Sequence, residues 1–197
     1  MPIDPSIFHP HNIADTCAVW NILSSRTLFS RARDAGVTFV CTHYVVYECL
    51  FKPRKKPTSC DQELQRRFRA AQQNLHLDTW RLDVADLQTI EILENRKRLG
   101  KGELSSIAFS LKTRQAFLTD DQKARKLAGE ILRKPNPQTT PHLFGWLFFT
   151  TRLVDSEKKI VIREHNEMER PLAKYFEEMY LEACRCRLMA HYGAMAK

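Results

Sequence analysis

Apolar positions along the chain follow two rhythms. Short apolar or β-branched runs occur at NIAD (12–15), VTFVCT (37–42), DTWRLD (78–83) and QAFLTD (115–120), with the length and residue types of buried strands. Longer stretches with helical spacing lie between them. One runs from about Cys17 to Ala35 and is ended by Gly36, and a second, HYVVYECLF, follows the capping residue Thr42. Asp61 opens DQELQRRFRAAQQNL, and ADLQTIEILENRKRL (85–99) is amphipathic and stopped by Gly100. GELSSIAFSLKTR (102–114) and DQKARKLAGEILRK (121–134) complete the set before PNPQTTP (135–141) breaks the chain. An apolar helix is expected over 142–152. KKIVIREH (158–165) reads either as a last strand or as part of a tail, and RPLAKYFEEMYLEACRCRLMAHY (170–192) is helical. Strands alternating with helices predict βαβ units and an α/β fold with a parallel sheet covered on both faces. Residues 1–152 carry that pattern, and 153–197 read as a C-terminal helical extension.

Composition narrows the class. A chain of 197 residues can build one good core but hardly two full domains, and 43% hydrophobic with 27% charged residues excludes wholesale disorder. The excess of 31 Lys+Arg over 23 Asp+Glu favours a polyanionic partner, with nucleic acid the first candidate. LFGWLFFT (143–150) is the most apolar stretch and falls far short of the ~20 residues of a membrane helix. The start MPIDPSIFHPHN lacks the basic end and apolar run of a secretory signal. Cys17, Cys41 and Cys49 sit in apolar runs, as buried reduced thiols do, which favours a cytoplasmic protein with no membrane partner.

Several acids sit oddly in this basic chain. Asp15 closes the first strand, Asp120 and Asp121 close the last, and Glu103 opens a helix directly after Gly102. Helix capping explains each of these alone, since carboxylates meet unpaired N–H groups and the positive end of the dipole there. Glu48 is harder, being flanked by Val45, Val46, Tyr47, Cys49, Leu50 and Phe51; an exposed position on the helix edge is its plain explanation. Taken together, parallel strands would bring all four to one edge of the sheet. Clustered carboxylates persist at neutral pH only with a cation or with raised pKa values, and an all-oxygen set suits Mg²⁺ or Mn²⁺.

IADTCAVWNIL, THYVVYECL, GKGELSSIAFSL and FLTDDQKARKLA, in that order, resemble the PIN-domain nucleases over about residues 10–150. The resemblance implies a three-layer α/β/α sandwich with a parallel sheet of about five strands. It also implies an endoribonuclease holding one or two divalent ions, Mg²⁺ or Mn²⁺, on Asp15, Glu48, Glu103 and Asp120. Asp121 would be a further ligand or support, and Thr16 and Thr119 match hydroxyl positions that steady such sites. Glu103 stands where many relatives have Asp. The family's small members are often toxins masked by an inhibitory protein, and that partner, like a homodimer, stays open here. A PIN-like module that binds RNA or protein without cutting is the alternative. A receiver domain would need an acid pair after the first strand and a haloacid-dehalogenase phosphatase a DxD at Asp15, and neither is present.

The acids cannot attract a polyanion themselves. The nearest cations are Lys52, Arg54, Lys55 and Lys56, in a turn stiffened by Pro53 and Pro57, followed by Arg66, Arg67 and Arg69 on the next helix. A solvated basic turn is the competing explanation. His43, at the end of the second strand, reads as a capping or surface histidine before it reads as a phosphate contact.

Overall fold

A computed structural model describes residues 4–96, 98–132, 135 and 137–195. Four strands, β1 (His11–Ala14), β2 (Thr38–Thr42), β3 (Asp78–Trp80) and β4 (Ala116–Leu118), form one sheet in the order β3-β2-β1-β4, with every pair parallel. The chain starts in the middle, steps outward through β2 and β3, and returns to the far side of β1 as β4. The strand order therefore reverses between β1 and β4, and ligands of open α/β sheets gather at the carboxyl ends flanking such a point.

Helices cover both faces of the sheet. Phe117 and Leu118 are adjacent in β4, so their side chains point to opposite faces, and both are fully buried. Phe117 packs with Ile90 and Leu93 of α5 (Val84–Arg96), Leu104 and Ile107 of α6 (Lys101–Thr113), and Leu127 of α7 (Gln122–Ile131). Leu118 belongs to the larger cluster on the other face. That cluster is supplied by α1 (Thr16–Ser24), α2 (Arg26–Asp34), α3 (His43–Leu50), α4 (Ser59–Gln73), α8 (Thr140–Phe149), α9 (Asp155–Glu167) and α10 (Ala173–Met195). The apolar run at 143–150 is the core helix its sequence predicts, with Leu143, Phe144, Leu147 and Phe148 all buried in α8.

Three expectations are corrected. The helix expected over 17–35 is two helices, because Ser25 is extended (φ −111°, ψ 116°) and its hydroxyl accepts from Leu28 N as the cap of α2. KKIVIREH is not a strand: it lies in α9, where Val161 and His165, four apart, share one buried helical face. Its β-branched run suited a strand, but packing overrides such propensity. Among the described residues the sheet has four strands rather than about five. Where a fifth would run beside β4 there is one parallel bridge, Leu118 to Gln138, made by Gln138 N to Phe117 O and Thr119 N to Gln138 O. Pro137 and Pro141 flank it, and proline has no N–H to extend a ladder. Residues 97, 133 and 134, inside the stretches expected to be helical, lie outside the described residues.

The segment after 152 packs into the same core as the sheet. Val161, Leu172, Phe176 and Ala183 join the larger cluster, and the Phe176 ring lies tilted against Phe144 of α8 with centroids 4.8 Å apart. Gly145 permits this approach, since a Cβ there would stand 2.9 Å from Met179 Cε and 3.3 Å from Met179 O. Glu164 caps α2 from outside by accepting from Ser25 Oγ and Thr27 N. His165 is fully buried: its Nε2 accepts from Leu172 N at 3.1 Å, so the proton sits on Nδ1, which faces Ser24 Oγ at 2.5 Å. No described helix is long and apolar enough to cross a membrane.

Candidate functional site

The carboxyl edge of the sheet carries the acids, in two pairs. Asp15, immediately after β1, is fully buried and caps α1 by accepting from Ala18 N at 2.9 Å. The same carboxylate accepts from Cys17 Sγ at 3.0 Å and from Thr119 Oγ1. Thr119 in turn accepts from Asp121 N, so its proton is directed away from that bond and onto Asp15. Asp120, two residues beyond β4, is half-buried and held by donors from two other elements. Asn21 Nδ2 reaches its Oδ2 at 2.8 Å, and Thr140 reaches both oxygens with its N–H (2.8 Å) and hydroxyl (2.6 Å). Cys17 connects the pair, accepting from Asp120 N at 3.3 Å while donating to Asp15.

Glu48 and Glu103 form the second pair, around the N-terminus of α6. Glu48 accepts from Thr16 Oγ1 and from Gly102 N at 3.3 Å, and Glu103 accepts from Gly100 N at 2.7 Å. The glycines make room for them. A Cβ on Gly102 would sit 2.4 Å from Glu48 Oε2, and one on Gly100 would lie within 3.6 Å of both carboxylates. Thr16, next to Asp15 in the chain, ties this pair to the first. Asp121 caps α7 through Ala124 N at 2.7 Å, and its charge also reaches Glu103.

Burial dominates the electrostatics. It pushes Asp15 up to about 7 against the three hydrogen bonds that favour the anion, with the Asp120 charge adding to the rise. Asp120 and Glu103 are also raised, first by burial; neighbouring acids add to the shift of Glu103, while hydrogen bonds from Thr140 and Asn21 and the charge of Arg125 oppose that of Asp120. The edge thus carries negative charge that the protein itself only partly offsets. The donors are hard carboxylate oxygens, and that chemistry fits a divalent cation. Among the described residues, however, no three Asp, Glu, His or Cys side chains stand close enough together to hold a metal ion between them. The structure places the acids at one edge but leaves them as two neighbouring pairs.

The basic residues divide by exposure. Lys52, Lys55, Lys56 and Arg69 are exposed, whereas Arg54 leans over the Trp20 ring at 5.3 Å and pairs with Asp61. Arg66 is exposed but paired with Glu63. Arg67 is occupied in the fold, donating to Leu23 O, Ser24 O and Glu63, whose carboxyl three arginines hold down at about 2. His43 is exposed at the start of α3 and lines a cavity of about 580 Å³ with Tyr44, Tyr47, Arg81, Leu82 and Leu87. None of the acids lines that cavity, but Tyr47 adjoins Glu48 in the chain.

Sequence reasoning missed Cys17, Asn21, Thr140 and Arg170. Cys17 was read as one more apolar-run thiol, and only the apposition of β1 and β4 shows it between two acids. Asn21 had a signal, being a lone amide in the apolar run AVWNIL. Arg170, in the turn between α9 and α10, donates from Nε to Asn21 Oδ1 at 2.8 Å across 149 residues of chain, which no local pattern announces. No family model, curated protein or solved structure matches this chain.

Proposed function

We propose that this chain is a PIN-like, metal-dependent endoribonuclease, with Asp15, Glu48, Glu103 and Asp120 as its acidic set. One observation carries the reading: acids from four separate elements gather as two neighbouring pairs at the carboxyl edge of a parallel sheet, and Gly102 keeps open the space that Glu48 occupies. A cap alone does not require that arrangement. Glu48 sits near the end of α3, yet it reaches across to Gly102 N in the first turn of α6 and to Thr16 Oγ1 at the start of α1.

The residues would share the work as follows. Glu48 and Glu103 on one side and Asp15 and Asp120 on the other would hold one or two ions, Mg²⁺ or Mn²⁺, with Asp121 in support. Such an ion, when bound, lowers the pKa of water to supply a nucleophile and stabilises the leaving oxygen. Thr119, Cys17 and Ala18 N orient Asp15 and favour its charged form. Asn21 and Thr140 do the same for Asp120, and Thr16 orients Glu48. The exposed Lys52, Lys55 and Lys56 would take phosphates, and Tyr44 and Tyr47 offer faces on which unpaired bases can stack. Such a nuclease would work where RNA is, in the cytoplasm, and an inhibitory protein partner would mask this edge.

A second reading has its own observation. Both oxygens of Asp15 and of Asp120 already accept hydrogen bonds from the protein, as they would in a binding module that cuts nothing. One experiment separates the two: tRNA, rRNA, single-stranded RNA and DNA are incubated with wild type and Asp15→Asn in Mg²⁺, Mn²⁺ or EDTA. The nuclease reading expects cleavage by wild type with metal, and losses of at least about a hundredfold in EDTA or in the variant. Binding without cleavage under every condition supports the module, and full cleavage in EDTA removes the metal from the mechanism.

A further inference from the structure

The C-terminal segment reaches the acid edge at the turn that carries Arg170. We infer that Arg170 is a positioning residue that binds a phosphodiester group of a single-stranded RNA beside the Asp15–Asp120 pair, with Arg54 as its neighbour. This rests on the nuclease reading for the identity of the polyanion, though not for the existence of the contact.

The turn is built to present that side chain. Glu169 adopts a left-handed conformation (φ 53°) uncommon for a residue with a side chain, Arg170 N donates to His165 O at 3.2 Å, and Pro171 follows. Cys60 Sγ donates to Glu167 O, which ties the start of α4 to the end of α9. The guanidinium is half-buried and, among the described residues, fixed by one hydrogen bond, Nε to Asn21 Oδ1. Asn21 is buried and spends its amide on Asp120, so it is an oriented relay between the cation and the acid.

The remaining donors of Arg170 are what suggest a ligand. A guanidinium has five N–H groups, and among the described residues neither terminal nitrogen of Arg170 has a hydrogen-bond partner. Asp120 is held by Asn21 and Thr140, and among the described residues it makes no direct pair with Arg170. Arg54 stands over Trp20, the residue before Asn21, and it is paired with Asp61. Two arginines thus converge on adjacent residues of α1, at the border of an acidic edge. Burial pulls Arg170 below its usual value; the nearby charges of Asp120 and Asp61 oppose the shift, and the like charge of Arg54 adds to it. A phosphate oxygen pair matches the free fork, and its charge is opposite to both arginines. Placed there, a phosphodiester would lie next to the acids without facing them directly.

The test uses the full chain and a labelled single-stranded RNA oligonucleotide, with binding measured in EDTA and in Ca²⁺ over a range of salt. Arg170→Gln should weaken binding about tenfold, the usual scale for a charge-assisted contact, and flatten the log–log salt slope by about 0.7. Arg170→Lys should restore the slope while recovering only part of the affinity, because it keeps the charge and loses the fork. Under cleaving conditions with Mn²⁺, KM should rise more than kcat falls. Urea unfolding of each variant shows whether the turn survives. If Arg170→Gln disturbs it, Asn21→Ala with Arg170 retained gives a second measure, since the unanchored arginine should lose affinity but keep the slope. Wild-type affinity and slope in Arg170→Gln would overturn the assignment even if the chain cleaves RNA. A wild type that binds no RNA at low salt would overturn it too. If no condition gives cleavage but Arg170→Gln still flattens the slope, the nuclease reading falls and the phosphate contact stands.

Discussion

Asp15 and His165 are both fully buried, both bonded at every polar atom, and both displaced by burial towards the neutral form. Their surroundings nevertheless treat that neutral form in opposite ways. His165 accepts from Leu172 N through Nε2 and offers Nδ1–H to Ser24, a set that only the neutral ring can satisfy. Burial and hydrogen bonding agree there, and the value falls to about 4, with the Arg170 charge assisting. Asp15 meets three donors, Ala18 N, Cys17 and Thr119, which suit a carboxylate and not a carboxylic acid. Burial and hydrogen bonding therefore disagree, and the group is left near 7. Agreement of this kind marks a joint in the architecture. Conflict marks a place prepared for something else, and a cation would resolve it.

The sharpest way to break the contrast is at the joint. His165→Leu keeps the volume but leaves Leu172 N–H buried without an acceptor and Ser24 without its partner. Stability should fall by about 3 kcal/mol in urea unfolding, with kcat of the remaining folded protein unchanged. A loss of activity at full stability would place His165 in the site instead.

Gly102→Ala should do the reverse. The added Cβ meets side-chain atoms, the flexible end of Glu48 and Thr16 Oγ1, and no backbone, so the carboxylate moves and the helix stays. A displacement of about 1 Å at a reacting group costs on the order of a hundredfold in rate, whereas Ala in a helix adds up to about 1 kcal/mol of stability. Cleavage should drop while the melting temperature holds or rises. Unimpaired cleavage would remove Glu48 from the site.

Titration separates the two groups more finely. His165 binds fewer protons folded than unfolded, so a contribution of about 3 kcal/mol is complete above about 6.5 and is lost as pH falls towards about 4. Asp15 binds more protons folded than unfolded, so its contribution is present below about 4 and is lost as pH rises through about 7. The slopes oppose each other, and wild-type stability without metal should be nearly flat from pH 4.5 to 6.5. Asp15→Asn removes one slope: its stability should climb with pH across that window and exceed wild type at pH 7.5. Mg²⁺ at 100 times its dissociation constant should return about 2.7 kcal/mol to wild type and less to the variant. An Asp15→Asn protein that melts lower than wild type, with metal changing neither, would make Asp15 a cap and nothing more.

The smallest effect belongs to the basic turn. Neutralising Lys52, Lys55 and Lys56 together should weaken RNA binding with little change in rate at saturation, and each lost phosphate contact should flatten the salt slope by about 0.7. An unchanged slope would move the strand away from this turn.

What the sequence made legible was whatever depends on local order. The strand runs, the caps at Asp15 and Thr42, and the core helix around Phe144 all follow from neighbours within a few residues. The capping explanation and the site explanation of Asp15 are both realised in the same carboxylate, which is why the sequence could not choose between them. The split at Ser25 was hidden because a serine is tolerated inside a helix unless an outside partner, here Glu164, rewards the break. Gln138 and Arg170 were hidden for a different reason. Their roles depend on which distant strand or helix arrives beside them, and periodicity holds no information about that.

The contact between Ser24 and His165 spans 141 residues of chain, and it has a consequence for timing. During synthesis α1 emerges well before the residues that pack against Ser24 and orient Asn21, which follow more than a hundred residues later. Until then a nascent chain would carry an open apolar face and an unfinished acid edge, the condition in which chaperones engage and wrong pairings form. High sequence separation also slows closure, since the loop entropy is spent before the contact returns it. On the nuclease reading proposed above, the chain would stay harmless to the RNA around it until α9 and α10 dock and complete the acid edge.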